Sequence, residues 1–319
     1  MSEASGKGVR IDIMWLFLTL FLAIQDPAAA LGLPEILSRA AEEAEALAQN
    51  APKALTLETL EQRALMPPSR FRPRIGKAAT DIPKPRLQSR LIVSEYSVGT
   101  LKESTSHDLF ELRQVVEVDG RKVQSSESAR HALSLGIKSP DDRVRKRMLE
   151  DFAKHGLVDI ATDYGLILLG FAKRAQENME FRISGDEQVG ADPAIAVSWR
   201  QKSSDAGVLV FAGNQASRRT LQGRLLARKS DGLPLRIETW TERAANGHVS
   251  REEATVDYVQ STHGFLMPAS VVHRHLIDGN LITENLYRYE PFKLFGADTD
   301  IKFTELPESP GTAPPPAKK

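Results

Sequence analysis

Two histidines set two residues apart are the most metal-like feature of the chain. His273-Arg274-His275 lies in FLMPASVVHRHLI, a stretch of strand character in which residues i and i+2 share a face, so both imidazoles could reach one ion. A zinc shell needs a third ligand, and Glu284 or Asp257 on a neighbouring strand is the candidate. Two imidazoles alone do not complete such a shell, so ordinary half-exposed strand histidines are expected and no metal. Serine hydrolysis would call for a G-x-S-x-G elbow, which the sequence lacks, and its Ser, His and Asp residues come without ordering context. There is no G-x-x-x-x-G-K-[ST] loop for phosphate, and Gly213-Asn214-Gln215 reads as a turn. Glu252 and Glu253 are adjacent, hence on opposite faces of a strand, which argues against a paired acid and base. Arg218-Arg219 reads as a solvated loop dipeptide. No catalytic residue and no cofactor is expected, and the chain is read as a non-enzyme.

Composition narrows the classes further. Lys plus Arg number 42 and Asp plus Glu number 42, a formal charge of zero, so nothing global favours nucleic acid. The 319 residues contain no cysteine, which removes disulfides, thiolate metal sites, a Cys nucleophile and a lipobox anchor.

The elements that would have to position any site follow from texture. Lys7 and Arg10 precede the apolar run Ile13 to Ile24, and Ala28-Ala29-Ala30 follows. This is the order of a secretory signal peptide, and the run falls short of the ~20 residues a membrane helix needs. Residues 1–30 are therefore expected to be a signal peptide and the mature chain periplasmic or secreted. The alternative is an inner-membrane anchor formed by uncleaved residues 13–24. Residues 31–65 read as an N-terminal helical segment, with Pro34 suited to the first turn and Ile36, Leu37, Ala40, Ala44 and Leu47 at helical spacing. Residues 66–86 hold five prolines and six basic residues, and read as an extended, solvated linker whose charge suits peripheral contact with anionic envelope membranes.

Strands are expected over 87–304. LQSRLIVSEYSV comes first, then HDLFELRQVVEV, with Phe110, Leu112, Val116 and Val118 placed on one face. A helical insertion interrupts them at 140–175: Ser139 caps, Pro140 opens it, Val144, Met148 and Phe152 recur at i, i+4, i+8, and a more apolar segment follows through Tyr164, Leu168 and Phe171. From Met179 the alternation is β again. QGRLLARK, LPLRIETWTE, EATVDYVQ, FLMPASVVHRHLI and LITENLYRYEPF form a near-meander punctuated by Asp231-Gly232, Asn246-Gly247 and Asp278-Gly279. A short strand at 300–303 precedes a Pro-rich tail, 305–319, expected to be disordered.

GRLLARKSDGLPLRIET, EATVDYVQ, LMPASVVHRHLIDG and YEPFKLF resemble the C-terminal repeat pattern of LolA-like proteins, carriers of lipoproteins or lipids in the bacterial envelope. The whole mature chain also resembles uncharacterised exported proteins typical of acidobacteria, on a phrase like FELRQVVEVDGRKV. The first resemblance implies an α+β, mainly β fold: a curved antiparallel sheet or incomplete barrel with helices packed on its concave face. No functional residue carries over from either.

Several strands are apolar on both faces, as at Leu225-Leu226, Val271-Val272 and Leu281-Ile282, which fits either covering helices or a ligand space. For a ligand space, Leu168, Phe171, Trp199, Trp240, Tyr258 and Tyr287 are the expected wall, and Gly165 and Gly170 would let the apolar segment move as a lid. Two functions stand open: a module that binds or carries a lipid, an acyl chain or a lipoprotein, and an envelope interaction or scaffolding protein with a packed core.

Overall fold

A computed structural model describes residues 31–68, 84–100, 109–137, 143–160, 162–203, 208–212, 215–245 and 247–295. The expected signal peptide, most of the linker, the helix start at Ser139-Pro140, the strand at 300–303 and the tail lie outside these residues.

The chain runs through α1 (Leu33–Asn50), β1 (Ala54–Met66), β2 (Arg86–Thr100), β3 (Leu109–Val118), β4 (Arg121–Lys122), α2 (Ser126–Ile137) and α3 (Arg143–Lys154). A 3₁₀ segment (Tyr164–Phe171) and α4 (Lys173–Gln176) close the insertion. Then come β5 (Met179–Val189), β6 (Asp192–Gln201), β7 (Val208–Ala212), β8 (Gln215–Arg219), β9 (Gln222–Arg228), β10 (Pro234–Ala245), β11 (His248–Gln260), β12 (Leu266–Ile277), β13 (Asn280–Tyr289) and β14 (Lys293–Leu294). Twelve strands form one antiparallel sheet in the order β4-β3-β2-β1-β13-β12-β11-β10-β9-β6-β5, with β14 on β1, while β7 and β8 make a separate hairpin. The sheet curves without closing, and β4 and β5 are its edges.

One face is concave and carries α1, α3 and the 3₁₀ segment. Ile36, Ala40, Ala44 and Leu47 of α1, Met148 and Phe152 of α3, and Leu166, Leu168 and Phe171 of the 3₁₀ segment join one core with the sheet. Hydrophobic burial of these faces is what joins the two layers; truncating a buried Leu or Phe to Ala costs about 2–5 kcal/mol. The meander β9 to β13 is present as read. At the β12–β13 turn Asp278 and Gly279 both take positive φ, 49° and 77°, which suits Asp and Gly and matches the strand twist.

Four expectations are corrected. The sheet begins at Ala54, so residues 54–66 are a central strand and not part of a helical segment; pairing with β2 and β13 on both sides overrides the helix-forming Leu, Glu, Gln and Arg of the stretch. The insertion begins earlier than 140, with α2, whose Ala129, Leu133 and Gly136 are buried. This helix covers the opposite, convex face, where Leu133 packs on Leu55, Phe110 and Leu112. The apolar segment 164–171 is 3₁₀ and not α-helical. Finally, Phe110 and Leu112 do not share a face with Val118. A bulge, where Val93 pairs with Glu117 but Ser94 with Val115, reverses the alternation, so that Glu111 and Arg113 point into the concave core.

Candidate functional site

The sheet's inward polar residues converge on the backbone of the insertion. Gln62 of β1 donates from Nε2 to Val158 O at 2.7 Å and accepts from Val158 N at 3.0 Å. It also bonds Asn285 Oδ1 at 2.6 Å, and Asn285 Nδ2 donates to Asp159 O at 2.8 Å. Gln88 Nε2 donates to Gly156 O at 2.7 Å. Further along, Tyr258 Oη accepts from Leu168 N at 3.1 Å and donates to Gly165 O at 3.2 Å. Neither the loop after α3 nor the 3₁₀ segment has an α-helical ladder, so these side chains satisfy backbone groups that burial would otherwise strand.

Glu111 is the strongest of these clamps. Its Oε2 accepts from Asp163 N at 2.7 Å and its Oε1 from Gly165 N at 3.0 Å, while Glu111 N donates to Asp163 Oδ1 at 2.9 Å. The same carboxylate accepts from Arg113 Nη2 at 2.8 Å and from Tyr96 Oη at 3.1 Å. Arg113 Nε also donates to Glu58, at 2.7 and 2.8 Å, and the guanidinium lies between the Tyr96 and Tyr287 rings, 5.2 and 5.1 Å from their centroids. All three charged side chains are 1% exposed. Burial pushes the Glu58 carboxyl up against the pull of Arg113. Burial works against the Arg113 charge, but Glu111 and Glu58 more than offset it and hold its pKa well above the usual value. Sequence reading missed this cluster because Glu and Arg at alternate positions resemble a wet face.

Beside the 3₁₀ segment a pocket of about 220 Å³ opens between the ends of β3, β5 and β6. Its apolar wall includes Leu109, Leu166, Leu169, Phe171, Met179 and Trp199. Its polar wall is already engaged: Gln201 Oε1 accepts from Leu221 N at 2.8 Å, and Asp163 bonds Glu111 N. Trp199 differs. It is 3% exposed and packs edge-on against Phe171, 5.6 Å between centroids, and its buried indole Nε1–H has no hydrogen-bond partner among the described residues.

Of the six residues expected to form a ligand wall, Phe171 and Trp199 line this pocket. Leu168 is sealed in the core beside it, Tyr258 clamps the 3₁₀ segment, and Tyr287 stacks under Arg113. Trp240 lies elsewhere: Ile237 faces the core, so the alternation of β10 puts Trp240 on the convex face, where Arg251 covers its ring at 5.6 Å. The expected lid is bolted down, and Gly165 serves close approach: a Cβ there would stand 2.5 Å from Glu111 Oε1.

His273 and His275 share the concave face, as their spacing implies. His273 is buried against Tyr164, ring centroids 5.2 Å apart, and burial lowers its pKa from 6.5 to about 4, with His275 adding to the effect. Asn285 Nδ2 lies 3.3 Å from its Nδ1. The two candidate third ligands are committed outward, Glu284 to Arg274 at 2.7 Å and Asp257 to Arg236 at 2.6 Å. Among the described residues no group of three His, Asp or Glu could hold a metal ion, and no helix is long and apolar enough to cross a membrane.

No protein-family model matches the chain, and no curated protein matches it. Two solved structures align over most of it. One is a domain assigned to outer membrane lipoprotein sorting, from Vibrio parahaemolyticus, with 9% identity, 83% of this chain and 94% of that one covered, and a TM-score of 0.36. The other is a DUF1329 family protein from Desulfovibrio piger, with 10% identity, 83% and 96% covered, and a TM-score of 0.33. Scores this low carry no argument about fold or ligand, which rest on the geometry above.

Proposed function

We propose that this protein is a binding module for the end of an acyl chain, held in the pocket beside the 3₁₀ segment with its carbonyl or carboxyl oxygen on Trp199 Nε1. The observation that carries the reading is the buried indole N–H of Trp199, unpartnered among the described residues, in a residue of the pocket's apolar wall. Buried Trp N–H groups ordinarily find an acceptor, and leaving one unmade costs about 1–3 kcal/mol. A lipid or lipoprotein acyl chain supplies both the apolar body and the acceptor. At about 220 Å³ the pocket is smaller than the ~300 Å³ at which ordinary small-molecule sites begin, so it suits the end of one chain rather than a whole lipid. In this reading the pocket binds or carries and has no catalytic step, and the protein works in the bacterial envelope after export behind residues 1–30.

Competition against a fluorescent fatty acid on lipid-stripped protein tests this. A medium-chain carboxylic acid should displace the probe better than a hydrocarbon of equal length. Trp199→Phe should reduce that preference about fivefold, the worth of one hydrogen bond near 1 kcal/mol. Absence of probe binding by the wild-type chain removes the proposal. It would leave the scaffolding reading, which the exposed Leu65, Leu87 and Leu91 on the outer face of β1 and β2 favour.

A further inference from the structure

At the rim of the concave face, away from the Trp199 pocket, three residues with no order in the sequence come together. Ser250 Oγ of β11 lies 3.0 Å from His275 Nε2 of β12, and His275 Nδ1 lies 3.2 Å from Asp159 Oδ2. A nucleophile on one imidazole nitrogen and a carboxylate on the other are the relations that let a hydroxyl attack a carbonyl. One tautomer fits both bonds, with Nδ1–H donating to Asp159 and Nε2 accepting from Ser250.

The carboxylate is held from several sides. Asp159 sits in the left-handed region, φ 45°, in the turn after α3. Asn285 Nδ2 bonds its carbonyl at 2.8 Å, and Thr283 Oγ1 donates to the same Oδ2 at 3.2 Å. Its hydrogen bond to His275 is the main cause holding its pKa below the usual value. His275 lies at a break in the β12–β13 register, between His275 and Leu276, and bulges of this kind re-aim a side chain. The site is reachable: the His275 and Asp159 side chains are 18% and 49% exposed.

We propose that Ser250, His275 and Asp159 form a hydrolytic site for carboxylic esters presented from solution, independent of the acyl-chain pocket. Ser250 Oγ attacks the ester carbonyl carbon while its proton passes to His275 Nε2. The acyl–oxygen bond breaks, the alcohol leaves with that proton, and an acyl group remains on Ser250. Water then attacks the acyl carbon, gives a proton to Nε2, and the carboxylic acid departs as Ser250 Oγ takes the proton back. Asp159 is a positioning residue, fixing the tautomer and stabilising the imidazolium.

A fluorophosphonate probe on the full-length chain, read by peptide mass spectrometry, tests the assignment. One adduct on Ser250 is expected, abolished by Ser250→Ala and slowed at least about a hundredfold by His275→Gln, the lower end of what a general base contributes. Asp159→Asn keeps the left-handed turn, which Asn tolerates, so it should fold, label slowly and lose the downfield proton resonance of His275 Nδ1. A wild-type chain that labels Ser250 no faster than its other serines, or that labels equally with His275→Gln, overturns the proposal.

Discussion

Replacing Gly165 with Ala should cost more stability than its chemistry suggests, whereas the same change at Gly170 should cost nothing. A Cβ at 165 would lie 2.5 Å from Glu111 Oε1 and 3.2 Å from Pro268 Cγ, and ordinary contact begins at 3.4 Å. The carboxylate would have to retreat by about 0.9 Å, yet Gly165 N, Asp163 N, Arg113 and Tyr96 hold it at 3.0, 2.7, 2.8 and 3.1 Å. Losing one such charge-assisted bond costs about 1.5–3 kcal/mol. Crowding adds about 1–3 kcal/mol, and the stiffer unfolded chain returns about 0.4–1 kcal/mol. The net is about 1.5–5.5 kcal/mol, a fall in Tm of roughly 3–11 °C at about 2 °C per kcal/mol. At Gly170 the added Cβ meets only Met179 Cε, at 3.4 Å, so stability should be unchanged or rise by up to about 1 kcal/mol. Thermal denaturation followed by circular dichroism measures both. A Gly165→Ala chain melting within about 2 °C of wild type would refute the view that Glu111 anchors this segment.

Two further outcomes follow from the buried polar groups. His273 has a folded pKa of about 4 against 6.5 when free, so its contribution is present above pH 6.5 and lost as pH falls to 4. That loss comes to about 3 kcal/mol and should vanish in His273→Gln, as urea midpoints at pH 7 and 4.5 would register. Arg113→Met should destabilise by about 3–5 kcal/mol, because Glu58 and Glu111 are then buried without their shared cation. Arg113→Lys should not restore the loss, since an ammonium cannot fork to two carboxylates between two rings.

The parts of the fold legible in the sequence are those where one physical rule acts alone. α1 shows helical spacing with a small-residue stripe, and β9 to β13 are strand-like runs set off by Gly-containing turns. β1 was illegible because its core-facing residues, Thr56, Glu58, Leu60, Gln62 and Ala64, are largely polar and, Thr56 apart, belong to helix-favouring types. Two of them, Glu58 and Gln62, belong to the polar network under the insertion, so the strand's disguise and that role share a cause. The bulge at Ser94 hid Glu111 and Arg113 in a similar way, since a one-residue slip is invisible to a period-two pattern. Of the candidate site, Phe171 and Trp199 were legible as apolar wall. The unpartnered Nε1 was not, because satisfaction is a property of the folded neighbourhood. Ser250, His275 and Asp159 come from β11, β12 and a turn 91 and 116 residues before them, and sequence order says nothing of their meeting.

The acyl-chain assignment rests on one proton, and nitrogen–proton correlation spectra of the mature chain's Trp199 and Trp240 indoles observe it directly. Lipid-stripped protein titrated with a medium-chain fatty acid should show the Trp199 indole N–H moving downfield in proportion to occupancy. Trp240 should stay fixed, and Trp199→Phe should delete the moving peak. A Trp199 resonance that does not shift at saturating fatty acid would contradict the account.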